Sequence, residues 1–508
     1  MEVAWDVQRG DVEHLDVLIV GAGLSGIGAA RYLQNECPWA SFVLFEAREA
    51  IGGTWDLFRY PGIRSDSDMY TLGYSFRPWA GEKTIADGPS ILQYIKDTAA
   101  ETAVDEKIRF RHRIVAADWS SDEARWLVTA ERLDSGAIVQ LTAGFIFSCS
   151  GYYRYDKGYE PDFPGRERFH GAVIHPQHWP ADLDYDAKKI VVIGSGATAV
   201  TLIPSLAERA EHVTMLQRSP SYVVSVPQSN PVANLMRRVL PEGVAGRWTR
   251  WLLALMTQGF YQLSQRRPNF VKKLLRKGLE RSLPSDYDID THFRPRYNPW
   301  DQRMCVVPNG DLFKAISAGT ASVVTDHVDT FTESGIQLQS GEHLDADIIV
   351  SATGLELLFI GGISLTVDGA DVDVPSCLTY KGMMLEGVPN FALAVGYTNA
   401  SWTLKCDLTC DYVCRLLNHL HDTGLRQCTP TNSDADVIPA PLLGLKSGYI
   451  TRAQDKFPKQ GSKFPWRVKQ SYLADWRALK RKSIHDDAMA FSNPEPVKAP
   501  ELVAVAGR

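Results

Sequence analysis

LDVLIVGAGLSGIGAARYL, Leu15 to Leu33, opens with a short run of Val, Ile and Leu, turns through small residues, and continues with apolar residues at helical spacing. The pattern predicts a strand, a tight turn and a helix in direct succession. Gly21, Gly23 and Gly26 supply G-x-G-x-x-G, in which missing side chains let a pyrophosphate approach the helix N-terminus. Alone the motif is weak. It gains force from FVLFEA, which puts Glu46 twenty residues after Gly26, where a carboxylate accepts the hydroxyls of an adenosine ribose. A 2′-phosphate would be repelled there, so this turn suits FAD or NAD.

A second unit of the same kind, KKIVVIGSGATAVTLIPSL, begins at Lys188. Gly194, Ser195, Gly196, Ala197, Thr198 and Ala199 form its turn, with Ala199 at the position where helix packs on strand. The following strand, HVTMLQRSPS, ends on Gln217, Arg218 and Ser219, where the first unit has an acid. Guanidinium and hydroxyl there favour a ribose phosphate. One charge-assisted hydrogen bond of about 1.5–3 kcal/mol gives roughly tenfold to hundredfold preference for NADPH over NADH. The alternative is that Arg218 is only a surface charge.

The expected fold class is therefore α/β, with two Rossmann-like dinucleotide-binding domains, for FAD and NADP, and a helical insertion in the NADP domain. FIFSCSG (145–151) and ADIIVSATG (346–354) each end a strand on a glycine, and mark the crossings between domains. The expected division gives the FAD domain residues 1–150 and 355–490, and the NADP domain 151–225 and 291–354. Residues 226–290 are the helical insertion, and 491–508 a mobile tail rich in Pro, Ala and Val.

A formal net charge of -6 over 508 residues leaves no overall basic field, so no nucleic-acid partner is expected. The N-terminal MEVAWDVQRGDVEHL lacks a signal-peptide core, which points to the cytoplasm. Eight scattered cysteines without C-x-x-C spacing indicate neither a disulfide framework nor a zinc site. Cys406, Cys410 and Cys414 share one face of a predicted helix, where they read as core. The apolar run WTRWLLALMTQGFYQL, 248–263, is broken by Arg250, Thr257 and Gln258 and falls short of a membrane span. It lies among Arg237, Arg238, Arg247, Arg266, Arg267, Lys272, Lys273, Arg276 and Lys277, so two readings stay open. One is a helical layer packed on the core; the other is peripheral contact with the inner face of a membrane.

One FAD site and one NADPH site imply hydride transfer onto a flavin. No paired redox cysteine is available, which leaves oxygen or an external acceptor. FHGAVIHPQHWP, 169–180, brings His170, His175 and His178 close in sequence, yet no acid or cysteine lies within it, so no metal site is expected.

GGTWDLFRYPGIRSDSD (52–68) and FHGAVIHPQHWP resemble the two fingerprints of Baeyer-Villiger monooxygenases, class B flavoproteins. Gly52, Gly53, Trp55, Tyr60, Pro61, Gly62 and Asp66 meet the first; Phe169, Gly171, His175, Trp179 and Pro180 meet the second. Over nearly the whole chain, stretches such as IVVIGSGATAVTLIP, YNPWDQR, VPNGDLF and VGYTNASWTLK are similar to the ethionamide-activating branch of that family. The resemblance implies that NADPH reduces FAD, that O2 adds at flavin C4a, and that the peroxide attacks a ketone to give an ester or lactone. Sulfur in thioethers or thioamides is a further implied substrate. Arg303 matches the active-site arginine, and Asp66 the acid that positions it. Ser25, Gly53, Thr54, Trp55, Asp56, Arg64, Ser65, Asp66 and Ile114 are assigned to cofactor binding, and Phe169, Gly171, His175 and Trp179 to a hinge. Better-studied branches carry a lysine where this chain has Gln302, so phosphate recognition falls more heavily on Arg218. Two alternatives remain: an N- or S-hydroxylating flavin monooxygenase without ketone activity, and an NADPH/FAD sensor or electron-transfer protein.

Overall fold

The computed structural model describes residues 12–494. Strand β1 (His14–Val20) turns into α1 (Leu24–Glu36) and returns as β2 (Phe42–Glu46). Val17 and Ile19 face one core, and Leu15, Leu18 and Val20 the other. Burial on both faces is why the strand reads as a nearly unbroken apolar run. After β3 (Ile108–Phe110) comes an antiparallel meander of β4 (His112–Ser120), β5 (Arg125–Arg132) and β6 (Ile138–Ser148). The strands β3, β2, β1 and β6 lie side by side and parallel.

The chain leaves this sheet through Gly151, at φ +70, into β7 (Tyr153–Gly158). A second, five-stranded sheet follows, built from β8 (Ala172–Ile174), β9 (Lys189–Ile193) and, after α2 (Ala197–Leu206), β10 (His212–Gln217). Helices α3 (Pro231–Val239), α4 (Glu242–Arg266) and α5 (Pro268–Ser282) intervene, followed by two shorter ones at Ile289–His292 and Asp311–Ser317. The sheet is then completed by β11 (Ala321–Thr325) and β12 (Ile348–Ser351). Its order is β11-β10-β9-β12-β8, every pair parallel. Ile190 and Val192 enter one core and Val191 and Ile193 the other, so this sheet too is covered on both faces.

Gly354, at φ +118, starts the return in β13 (Leu355–Leu357), which pairs antiparallel with β7. The outgoing and returning crossings therefore run beside each other. Later strands rejoin the first sheet, among them β14 (Ser364–Val367) on β4 and β15 (Phe391–Leu393) on β6. The long α6 (Trp402–Thr423) then packs on α1. Cys406, Cys410 and Cys414 enter the same core as Cys37 and Cys149. Near the C-terminal limit of the described residues, Phe491 and Ser492 end a strand, Met489–Ser492, paired with Gln427–Pro430. Most of the tail expected from the sequence, 495–508, lies outside the described residues, as do residues 1–11.

Arg250, in sequence a polar interruption of an apolar run, is 7% exposed. Its Nη1 donates to the carbonyls of Thr71 (2.8 Å) and Gly73 (2.5 Å), and its Nη2 to Asp407 Oδ2 (2.6 Å). The helical segment is thus anchored on the first sheet's helices as well as on its own domain. A buried guanidinium is tolerated because carbonyls and a carboxylate replace its water.

Candidate active site

A cavity of about 1470 Å³ runs between the two sheets and is lined by both glycine turns. At its first end, Gly23 caps α1 without a side-chain hydrogen bond, and no acid lies in the first helical turn. The free N–H groups and the positive end of the helix dipole are thereby left for an anion. Gly26 cannot be anything larger, since a Cβ there would lie 1.8 Å from the carbonyl oxygen of Gly21. Glu46 is buried and lines the cavity; its Oε2 accepts from Ala22 N (2.7 Å) and its Oε1 from Arg48 N (2.9 Å). Each oxygen keeps a lone pair for a ribose hydroxyl. Turn and acid together fit FAD.

The surrounding residues divide. Gly21, Ser25, Gly53, Thr54, Trp55, Arg64, Ser65 and Ile114 line the cavity. Thr54 Oγ1 is 3.1 Å from Tyr155 OH, and Ser25 Oγ accepts from Trp402 Nε1 at 2.8 Å. Arg64 spends its charge on Asp311, across the domains. Asp56 is absent from the lining: its carboxylate is buried between Arg48 and Arg59.

The second turn is built like the first. Gly196 caps α2 with no side-chain hydrogen bond, and a Cβ at Gly196 would meet no atom within 4 Å. That open volume over a helix N-terminus fits a second pyrophosphate. Gly194, at φ +140, passes so close to Ala352 that a Cβ would sit 2.3 Å from its carbonyl oxygen. Ser195, Ala197 and Thr198 also line the cavity, whereas Ala199 is fully buried in helix packing. Beyond β10, Arg218 and Ser219 face the cavity, and Ser195 Oγ donates to Ser219 O at 3.2 Å. Gln217 turns away, because its Nε2 donates to His292 O (2.8 Å) and Thr325 Oγ1 (2.9 Å) inside the fold.

Between the two turns Arg303 meets Asp66. Nη2 donates to Oδ1 at 2.9 Å and Nε lies 2.7 Å from Oδ2, a two-pronged pair whose side chains are 30% and 33% exposed toward the cavity. The Asp66 carboxylate holds the guanidinium pKa above its ordinary value, against the opposing effect of burial. Cys305, also in the lining, has its thiol pushed up to about 12 by burial and stays protonated.

The second fingerprint lies behind the cavity. A Cβ at Gly171 would stand 2.2 Å from Asp347 O, which explains the glycine. Phe169 packs edge-on against Phe331, and Trp179 on the core of the second sheet. His175 Nδ1 accepts from Gln177 N at 3.2 Å, which puts its proton on Nε2, directed at Gly354 O at 3.1 Å. Its ring also fills the space over Gly158. The histidine therefore touches both crossings, β7 and the entry to β13. Burial lowers its pKa, with the bond to Gly354 acting the other way. His178 lines the cavity, and His170 does not. Among the described residues, no three or more His, Cys, Asp or Glu gather as metal ligands.

A family model described as flavin-binding monooxygenase-like matches residues 84–361, and one described as an NAD(P)-binding Rossmann-like domain matches 19–80. The FAD-containing monooxygenase EthA of Mycobacterium tuberculosis is 54% identical over 487 residues, 96% of this chain and 99% of its own length. This chain belongs to the flavin-binding monooxygenase-like family. It is a class B flavoprotein monooxygenase, and its cofactors are FAD and NADP(H). The probable FAD-binding monooxygenase AlmA of Acinetobacter baylyi is also similar, 50% identical over 482 residues, 94% of this chain and 96% of its own length. Among solved structures, a steroid monooxygenase bound to NADP shares the fold at TM-score 0.73 and 22% identity, covering 94% of this chain and 100% of its own.

Several residues of the monooxygenase's cavity were missed in the sequence. Tyr152, Tyr153 and Tyr449 surround Arg303 closely enough to feel its charge, and all three line the cavity. Burial raises each phenol above its ordinary value, so all stay neutral. Lys446 reaches the lining too, held by its backbone N–H on Asp301 O at 2.8 Å. Tyr152 and Tyr153 follow the crossing glycine Gly151 directly, so a nearby aromatic pair could have been suspected; nothing local points to Tyr449.

Proposed function

We propose that this monooxygenase uses NADPH to insert one atom of O2 beside a ketone carbonyl, giving an ester or lactone. Sulfur in thioethers or thioamides is the second substrate class of the same reading. The observation that carries it is the Arg303–Asp66 pair, set between two nucleotide turns and walled by neutral phenols. Reduced flavin with O2 supplies the oxygen that is transferred. Arg303 provides a fixed cation for the negative charge that develops on oxygen during attack on a carbonyl, and it stays protonated throughout. Asp66 sets its plane through two parallel bonds. Tyr152, Tyr153 and Tyr449 exclude water without offering a proton at neutral pH. Oxidation of sulfur calls for an electrophilic, protonated oxidant, so a permanent cation tilts the site toward ketones. Arg218 is the group proposed to select the 2′-phosphate of NADPH. Residence in the cytoplasm belongs to the same proposal, and eight free cysteines support it.

The test is a panel of linear, cyclic and aromatic ketones and one thioether under isotopically labelled O2, with the native protein and Arg303→Ala. Label is expected in an ester from the native protein alone, while the variant keeps FAD and still oxidises NADPH. Ester formation by the variant removes Arg303 from the chemistry. Sulfoxide without ester from the native protein favours the N- or S-hydroxylating alternative, and absence of labelled product favours a sensor.

A further inference from the structure

Ten of the fourteen exposed large apolar side chains among the described residues fall between Val232 and Leu274. They are not scattered on their helices. On α4, Trp248 (62% exposed), Leu255, Met256 (59%) and Leu263 recur at seven or eight residues, which places them on one side of the helix. Arg250, Leu253, Ala254 and Ser264 are buried on the opposite side. Leu235 and Val239 repeat the pattern on α3, and Phe270 and Leu274 on α5, with α3 and α5 both packed on α4. Singly exposed leucines are ordinary; a stripe of this kind across adjoining helices is not.

The same helices carry a local excess of positive charge. Residues 230–282 hold eleven Lys and Arg against two acids, Glu242 and Glu280, in a protein whose overall charge is -6. Of these cations only Arg250 and Arg276 pair with described acids. Arg238, Arg247, Arg266, Arg267, Lys273 and Lys277 are exposed. Lys273 and Lys277 share the face of Phe270 and Leu274, so charge and apolar surface alternate on one side of α5.

We propose that α3, α4 and α5 form a bilayer-docking face that seats this monooxygenase on the surface of an anionic membrane. No helix among the described residues is long and apolar enough to cross a membrane. An apolar stripe interleaved with Lys and Arg instead suits a helix lying in the headgroup layer. Acidic lipid matches the charge. A second copy of the chain, set face to face in a twofold dimer, brings like charges together and is disfavoured. Docking leaves α4 as the partition between lipid and the cavity, since Ala254 on its inner side packs on Tyr397, a lining residue. The proposal is independent of which compound is oxidised.

The test is cosedimentation of the full-length, FAD-loaded protein with two kinds of vesicle, phosphatidylcholine alone and an equal mixture with phosphatidylglycerol. Binding to the mixed vesicles is expected to be at least about tenfold tighter, and to fall as salt screens the charges. Lys273→Glu with Lys277→Glu, and separately Trp248→Ser with Met256→Ser, should each weaken vesicle binding about tenfold or more. Lipid-free NADPH oxidation should not change in either. Ile138→Ser, an exposed apolar position on a different surface, should bind vesicles like the native protein. Absence of binding, equal binding to both vesicles, or a lipid-independent dimer that either variant dissociates overturns the proposal. The lipid and salt dependence of the unsubstituted protein decides the matter without the variants.

Discussion

His175 donates through Nε2 to the carbonyl oxygen of Gly354, 179 residues further along, at 3.1 Å. Gly354 opens the returning crossing, and the same imidazole fills the space over Gly158 at the end of the outgoing one. One side chain thus ties together the two connections on which the domains would move. His175→Ala is expected to leave both cofactors bindable but to slow flavin reduction or divert oxygen to hydrogen peroxide. Stopped-flow reduction and the ratio of product to NADPH consumed measure this, and an unaltered cycle contradicts it.

The titration of His175 has a defined sign. Burial lowers its folded pKa below the ordinary 6.5, so between those two values the unfolded chain binds more protons. Stability contributed by the neutral ring is complete above about 6.5 and is lost as pH falls toward the folded pKa. His175→Gln removes that component. Thermal midpoints of native and variant proteins should therefore converge as pH is lowered below 6.5.

In the proposed chemistry Asp66 acts through Arg303, with which it pairs. Asp66→Ala leaves the arginine charged but free to swing, and a misplacement on the order of 1 Å can cost about 100-fold in rate. Ester formation should fall by about that factor, with flavin reduction by NADPH within about twofold of native. Asp66→Asn, which keeps one acceptor, should recover part of the loss in single-turnover assays.

Across the two nucleotide turns, two kinds of glycine separate fold from function. Gly26→Ala places a Cβ 1.8 Å from a backbone oxygen and should yield protein with little FAD. Gly196→Ala meets nothing within 4 Å, so the protein should fold and hold FAD while KM for NADPH rises about tenfold or more. Arg218→Ala should cut the ratio of kcat/KM for NADPH over NADH by roughly tenfold to hundredfold. Equal native efficiency with both nucleotides would remove Arg218 from phosphate recognition.

Arg250 and Asp407 form a buried pair whose side chains are 8% and 11% exposed. Removing one partner strands the other charge, at a cost of about 3–5 kcal/mol. Asp407→Ala should lower the thermal midpoint clearly. Arg250→Met with Asp407→Leu should restore much of it; a double variant less stable than either single one would contradict the account.

The two glycine turns and Glu46 were determined by the sequence alone, because each rests on spacing within one strand-turn-helix unit. The pairing of Arg303 with Asp66 was expected only through resemblance, since 237 residues separate them and no local pattern encodes a contact across domains. Tertiary structure also decided which neighbours look inward. Gln217 and Arg218 are adjacent, yet one is consumed by His292 and Thr325 while the other faces the cavity. Asp56 sits in a fingerprint but is held by Arg48 and Arg59. Arg250 reads as a break in an apolar helix and proves to be its anchor, because carbonyls of Thr71 and Gly73 and the Asp407 carboxylate meet it from far along the chain. Burial and hydrogen-bond partners belong to the packed molecule, and strand and helix periodicity alone cannot specify them.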